Sequence, residues 1–333
     1  MSNGLAELRA RKALQESGLP HDGPMIRADS TSNEVFITCN HVIRFNQQPN
    51  RRLEREAELC SHLDRQLPGR SWLPRVESYG GRPGSDYLIV TKRNGESLSR
   101  CWPMMSRESR RKAIGQVCAF LRDLHQTPAL DQVPVIDKSP HLLGGQDPVG
   151  PLLCGLDQLA QLPHIDQGLV ADAKMLTLEA ADSVRADWRP GLIHGDLTLE
   201  NVLWDWTEIT AVIDLEWCRP APADLELDIL GRYFAMPEVH VSAEAERHQR
   251  SGDYAEVPSW IAEDYPELFQ AQGLARRLII YALAFEVRAT IDSPPPADKQ
   301  HLTRYHPYNR LARVVATGGH VTELLDHLGL ASI

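Results

Sequence analysis

The run Leu192-Ile193-His194-Gly195-Asp196-Leu197-Thr198-Leu199-Glu200-Asn201-Val202-Leu203-Trp204 sets an apolar approach before a polar turn and an apolar exit after it. A second apolar run, Ala211-Val212-Ile213, delivers Asp214. The intervening Asp205–Thr210 stretch can reverse the chain. The strands on either side then pair as a hairpin, and Asp196, Asn201 and Asp214 are expected at one cleft. Two carboxylates and an amide in this order suit phosphoryl transfer. Asp196 can orient an acceptor hydroxyl and take its proton. Asn201 offers magnesium a neutral oxygen, and Asp214 offers a carboxylate that bridges the metal and nucleotide phosphates. A lone Asp is usually a surface residue or a cap, but the complete HGDxxxxN run followed by Ile213-Asp214 is far more specific. His194 reads as a brace for this loop through hydrogen bonding rather than as the base.

The run resembles that of the aminoglycoside phosphotransferase family, a branch of the protein-kinase-like superfamily. The match extends through most of the chain and is sharpest at His194–Asn201 and Ile213–Trp217. The resemblance implies Asp196 as catalytic base, Asn201 and Asp214 as magnesium ligands, and ATP as co-substrate. It also implies an α+β, bilobal protein-kinase-like fold, with a strand-rich N-lobe, a mainly helical C-lobe and the nucleotide between them. The wider family includes antibiotic, choline, homoserine and methylthioribose kinases, so membership does not identify the acceptor. A protein kinase fits less well. No Arg follows His194, and Ile213-Asp214-Leu215-Glu216 stands where Asp-Phe-Gly would be.

Residues nearer the N-terminus extend the resemblance. Ser30-Thr31-Ser32-Asn33 resembles the family's phosphate-covering loop, in which backbone N–H groups hold phosphate oxygens and Ser32 adds a hydroxyl, although the loop lacks glycine. Arg44 falls where related proteins place a lysine or an arginine near the phosphates, and Glu56 on the following helix can pair with it. Tyr87-Leu88-Ile89-Val90-Thr91-Lys92-Arg93 resembles the strand and hinge that offer backbone hydrogen bonds to adenine, with Thr91 and Arg93 as contacts mainly through the main chain. Arg52, Glu54 and Arg55 read as ordinary helix-surface charges.

The elements that must position these residues follow from periodicity. Leu5–Ser17 carries a modest helical pattern, broken by Gly18 and Pro20. Glu34–Thr38 and Val42–Phe45 read as a hairpin. Leu53, Ala57, Cys60 and Leu63 recur at helical spacing. Trp72–Glu77 and Tyr87–Thr91 read as extended, with a Gly/Pro-rich turn between them. The pattern changes at Lys92–Leu98, which places an N-terminal nucleotide-binding lobe at 1–91 and a catalytic and substrate-binding lobe at 92–333. The second begins with a long helix over Arg107–Leu124. Leu169–Arg185 and four later stretches are also helical, while Pro134–Pro151 gives no clear period.

The chain of 333 residues can bury a large core, and 42% hydrophobic with 24% charged residues is ordinary globular composition. The opening residues lack a secretory pattern and no apolar tract reaches membrane-spanning length, which gives an expectation of a cytoplasmic protein without membrane partners. The six cysteines are scattered and read as small apolar residues in a reducing compartment. A formal charge of −10 disfavours a general nucleic-acid surface and allows a cationic partner.

Between His194 and Asp228 there are nine Asp or Glu residues against one basic residue, Arg219, and Asp253–Glu267 adds five acids without Lys or Arg. If these faces line the cleft they attract an amine-bearing acceptor such as an aminoglycoside, with Glu216 and Asp228 as substrate contacts. The other reading is structural: the family resemblance implies that at least one of Asp224 and Asp228 braces the helical lobe, Glu216 can support the metal loop, and Asp253–Glu267 can be a solvated helix face. Trp217 and Trp260 are read as core packing before substrate stacking. A kinase for a metabolic small molecule (homoserine, choline or sugar-like) is the alternative. A nucleotide-binding regulator without transfer activity is a third reading, disfavoured by the intact Asp196, Asn201 and Asp214. Oligomeric state is not legible.

Overall fold

The computed structural model describes residues 3–28, 33–67, 72–128, 139–186, 188–241 and 246–330. The chain divides into two compact units. One comprises Met1–Cys101, Ala129–Asp137 and Asn201–Glu216, and the other Trp102–Pro128, Lys138–Glu200 and Trp217–Ile333. The first unit therefore runs past Thr91 and takes in the hairpin that follows the HGD run.

In the first unit, β1 (Ile26–Ala28), β2 (Asn33–Ile37), β3 (His41–Asn46), β4 (Val76–Gly80) and β5 (Tyr87–Thr91) form an antiparallel sheet in the order β1-β2-β3-β5-β4. Side chains alternate across it. Ile43, Phe45 and Ile89 face α1 (Asn3–Glu16) and pack with Ala10, Ala13 and Leu14. Leu88 and Val90 face α2 (Arg52–Gln66) and pack with Leu53 and Ala57. Full burial of a leucine such as Leu88 stabilises by about 1.5–3 kcal/mol, so both faces are firmly specified. Arg44 shares its parity with Val42, one of the side chains packed on the α2 side. The pleat alone therefore turns a charged side chain towards α2.

The short β6 (Glu96–Ser97), α3 (Leu98–Cys101), β8 (Val202–Trp204) and β9 (Ile209–Val212) complete this unit. β8 and β9 pair antiparallel with Val202 opposite Val212, so the expected hairpin is present.

The second unit is mainly helical. α4 (Arg107–Gln126) is capped by the Ser106 hydroxyl, which accepts the Ser109 N–H, and it buries the stripe Ile114, Val117, Phe120, Leu121 and Leu124. α5 (Gly150–Ala160) and α6 (Gln167–Arg185) follow, the latter capped by Asp166. β7 (Pro190–Ile193) pairs antiparallel with β10 (Arg219–Pro222), and α7 (Leu225–Ala235) leads away from β10. α8 (Val257–Asp264), α9 (Leu274–Asp292), α10 (Pro307–Thr317) and α11 (His320–His327) complete the unit. α9 is buried around most of its circumference, which marks it as the unit's central helix. Among the described residues no helix is long and apolar enough to cross a membrane.

Candidate active site

In the first unit, both carboxylate oxygens of Glu56 accept from Arg44 Nη1 at 2.6 Å, and Arg44 Nη2 donates to Asp214 Oδ1 at 3.1 Å. The Arg44 and Glu56 side chains are only 14% and 7% exposed, while Asp214 is 35% exposed. Burial opposes the charge on Arg44, but Glu56, Asp214 and Glu216 outweigh it and hold the guanidinium firmly protonated. Burial pushes the Glu56 carboxyl up to about 7 against the pull of Arg44, and the neighbouring Asp214 and Glu216 add to the rise. Arg44 is thus fixed at one end and presented to Asp214 at the other.

Asp214 has a left-handed backbone with φ of 67°. For a residue with a side chain this costs on the order of 1–3 kcal/mol and needs support from its surroundings. Part of the support extends the β8–β9 ladder, because the Ile213 N–H donates to the Asn201 carbonyl at 2.9 Å. That bond sets Asn201 beside the residue preceding Asp214. No group of three or more His, Cys, Asp or Glu able to hold a metal occurs among the described residues. Magnesium needs none, since one or two protein oxygens with phosphate oxygens and water satisfy it. An amide and a partly exposed carboxylate on adjoining strand ends fit that ion.

Two residues read as surface charges belong here instead. Arg55 is buried, and its Nη1 donates to the Glu216 carbonyl at 3.2 Å. Arg52 Nη1 lies 3.6 Å from Glu216 Oε1. Their spacing with Glu56, at i, i+3 and i+4, puts all three on one helix face, but the sequence does not show what that face meets. Glu216 itself, expected at the acceptor, stands in this arginine-rich cluster and is 9% exposed. At the expected hinge, the Thr91 N–H donates to the Arg75 carbonyl and its hydroxyl accepts the Arg75 N–H. That N–H is therefore committed to Arg75, the residue before β4, and is not open to a base. The Arg93 guanidinium is anchored on the Thr210 carbonyl at 2.7 and 3.1 Å. Ser32 lies outside the described residues.

In the second unit, His194 is fully buried and its Nδ1 accepts the Asp196 N–H at 3.3 Å, a bracing contact. Asp196 is half-buried. Gly195 has φ of 83°, and a Cβ there would collide with the Trp217 carbonyl and the Arg219 guanidinium, so only glycine fits. Glu226 on α7, which the motif reading did not single out, holds the loop from behind. Its Oε1 accepts from the His194 N–H at 2.6 Å and the Gly195 N–H at 3.2 Å. Burial pushes the Glu226 carboxyl up to about 7, against those two N–H groups and Arg219.

The acidic surroundings are engaged internally. Asp228 is fully buried and accepts from Arg232, His141 and His320 at 2.9, 3.2 and 2.8 Å. The expectation of a substrate contact at Asp228 is therefore corrected, because a carboxylate enclosed by three donors has no face left for an acceptor. Asp224 takes the Arg277 guanidinium at 2.5 and 2.9 Å. The Asp253–Glu267 block is met by α4. Arg107 pairs with Glu256, Arg110 with Asp253, Arg111 with Glu263 and Asp264, and Arg122 with Glu267. Trp260 is core, as expected of most buried tryptophans.

A strand-rich unit carrying a fixed guanidinium beside a left-handed Asp, and a helical unit carrying an Asp on a glycine turn, are parts expected of a kinase-like phosphotransferase. The chain belongs to the phosphotransferase enzyme family, whose model matches residues 28–260, and it is a kinase-type enzyme. Among solved structures it resembles aminoglycoside phosphotransferase APH(2'')-Ib with ADP bound, at 15% identity and a TM-score of 0.59 over 98% of both chains. The gentamicin complex of APH(2'')-IIa matches at 15% identity and a TM-score of 0.59 over 95% of both. APH(3'')-Id from Streptomyces rimosus matches at 19% identity and a TM-score of 0.53, over 86% of this chain and 99% of that one. At such identities the likeness establishes the bilobal, protein-kinase-like α+β fold. No curated protein sequence matches the chain significantly.

Proposed function

We propose that this enzyme transfers the γ-phosphoryl group of ATP to a hydroxyl of a small molecule. The observation that carries this reading is Asp214, held in a strained left-handed turn and hydrogen-bonded to an arginine that Glu56 fixes in turn. Such strain persists where a side chain must be aimed. Arg44 offsets phosphate charge, and Asn201 and Asp214 would hold magnesium, which would supply neutralisation of charge on the transferred group. Asp196 accepts the hydroxyl proton, on a loop fixed by Gly195 and Glu226. The main chain near Arg93 receives the base, with the Thr91 N–H excluded from that role.

An aminoglycoside is the first acceptor to test, supported by the gentamicin bound to a structural neighbour. The acidic residues support it less than their number suggests, because most are paired within the protein. A metabolic alcohol is the second reading, and the pairing of the Asp253–Glu267 block with α4 favours it. Incubating the protein with Mg-ATP and a mixed panel of aminoglycosides, peptide antibiotics and metabolic alcohols, followed by mass spectrometry, decides between them. Phosphorylation of a metabolic alcohol alone rejects the antibiotic reading, and ATP turnover with no member rejects the panel.

A further inference from the structure

A strained metal loop needs holding on both sides of the strained residue. On the upstream side Val212 N–H donates to the Trp72 carbonyl at 2.6 Å and Ile213 N–H to the Asn201 carbonyl at 2.9 Å. On the downstream side the support comes from α2. Arg55 is 4% exposed and donates from Nη1 to the carbonyl of Glu216, two residues past Asp214. Arg52, one turn earlier, faces the Glu216 carboxylate, and Glu56 holds Arg44 against Asp214. One helix face thus grips both the phosphate arm and the metal loop. A guanidinium is costly to bury unless its donors are used, and its planar fork is suited to a fixed geometry that a flexible ammonium would not impose.

We propose that Arg55 is a positioning residue, whose hydrogen bond to the Glu216 carbonyl sets the Asp214–Glu216 turn so that the Asp214 carboxylate meets magnesium productively. This rests on the reading of Asp214 as a magnesium ligand. It assigns α2 a second task beyond orienting Arg44, so a shift of this helix loosens both grips together.

The test is binding rather than turnover. Affinity for a fluorescent, nonhydrolysable ATP analogue is measured on the full chain with magnesium and with EDTA. The ratio of the two affinities reports the metal's contribution. Arg55→Met is expected to lower this ratio about tenfold, the scale of one lost charge-assisted hydrogen bond, while EDTA affinity stays within about twofold. Arg55→Lys, which keeps a donor, is expected to lower it by about threefold. An unchanged ratio overturns the proposal, as does an equal loss with and without magnesium, which would mark Arg55 as merely structural. If Arg55→Met does not fold, Arg55→Lys carries the test under the same criteria. Asp214→Asn separates the two inferences. Loss of the magnesium effect in Asp214→Asn with none in the Arg55 variants removes Arg55's role alone. A magnesium effect that survives Asp214→Asn removes the ligand reading and this proposal with it.

Discussion

The residues proposed to act and the residues that hold them differ in exposure. Asp196 and Asp214 are partly exposed, whereas Glu56, Glu226, His194 and Arg55 are buried. Substitution should separate them accordingly. Asp196→Asn is expected to retain nucleotide binding while kcat falls by roughly 10² to 10⁴, the usual contribution of a general base. Comparable turnover in a well-folded Asp196→Asn protein rejects that role. Glu226→Ala leaves the His194 and Gly195 N–H groups without their buried acceptor, at a cost of about 1–3 kcal/mol for each group left unsatisfied. Glu226→Gln keeps an acceptor and is expected to unfold close to the parent in a urea titration. Asp196, Asn201 and Asp214 could be proposed as site residues because the motif is local in sequence. Glu226 and Arg55 were not, since each is defined by a carbonyl or N–H far along the chain.

At the level of elements, pattern and structure agree where the period is strong. The β2–β3 hairpin, α2, α4 and α6 lie close to their expected places, and strand alternation explains why Arg44 meets Glu56. Charge misled where partners are distant. The acids of Asp253–Glu267 form a ladder with arginines of α4 some 140 to 150 residues earlier. The local run of acids looked unbalanced only because its cations lie on another helix. Replacing Asp253, Glu256 and Asp264 by their amides is therefore expected to lower Tm while leaving acceptor KM within about twofold, since a neutralised ladder exerts little field on a ligand. A large rise in acceptor KM with no loss of Tm would return those acids to substrate binding.

Across the whole molecule, the buried Asp228 network joins α7, α11 and the His141 segment. His141 Nδ1 faces an Arg219 donor at 3.1 Å and its Nε2 faces Asp228, an arrangement that requires a neutral imidazole with its proton on Nε2. Burial first, with Arg219 and Arg232 adding, depresses its pKa from 6.5 to about 4 despite Asp228. The unfolded chain therefore binds this proton at pH values where the folded protein does not. Folding stability contributed by the neutral ring is complete above pH 6.5 and falls towards pH 4, by up to about 1.4 kcal/mol per pH unit. His141→Gln keeps a donor and an acceptor but cannot titrate. Its stability, followed by urea unfolding from pH 7 to 4, is expected to fall less steeply than the parent's, and an identical slope rejects the assignment.

The sequence by itself determined the class of chemistry and the order of its parts, because HGDxxxxN and the following Ile213-Asp214 are contiguous and their local turns need no distant partner. It also determined the alternating sheet and the principal helices, whose periods are properties of single segments. Only the tertiary structure decided which charges face the Asp214 loop and which merely balance one another. Ion pairing depends on distance in space, and a helix charge such as Arg55 looks the same in sequence whether it meets water or the carbonyl beside a strained aspartate.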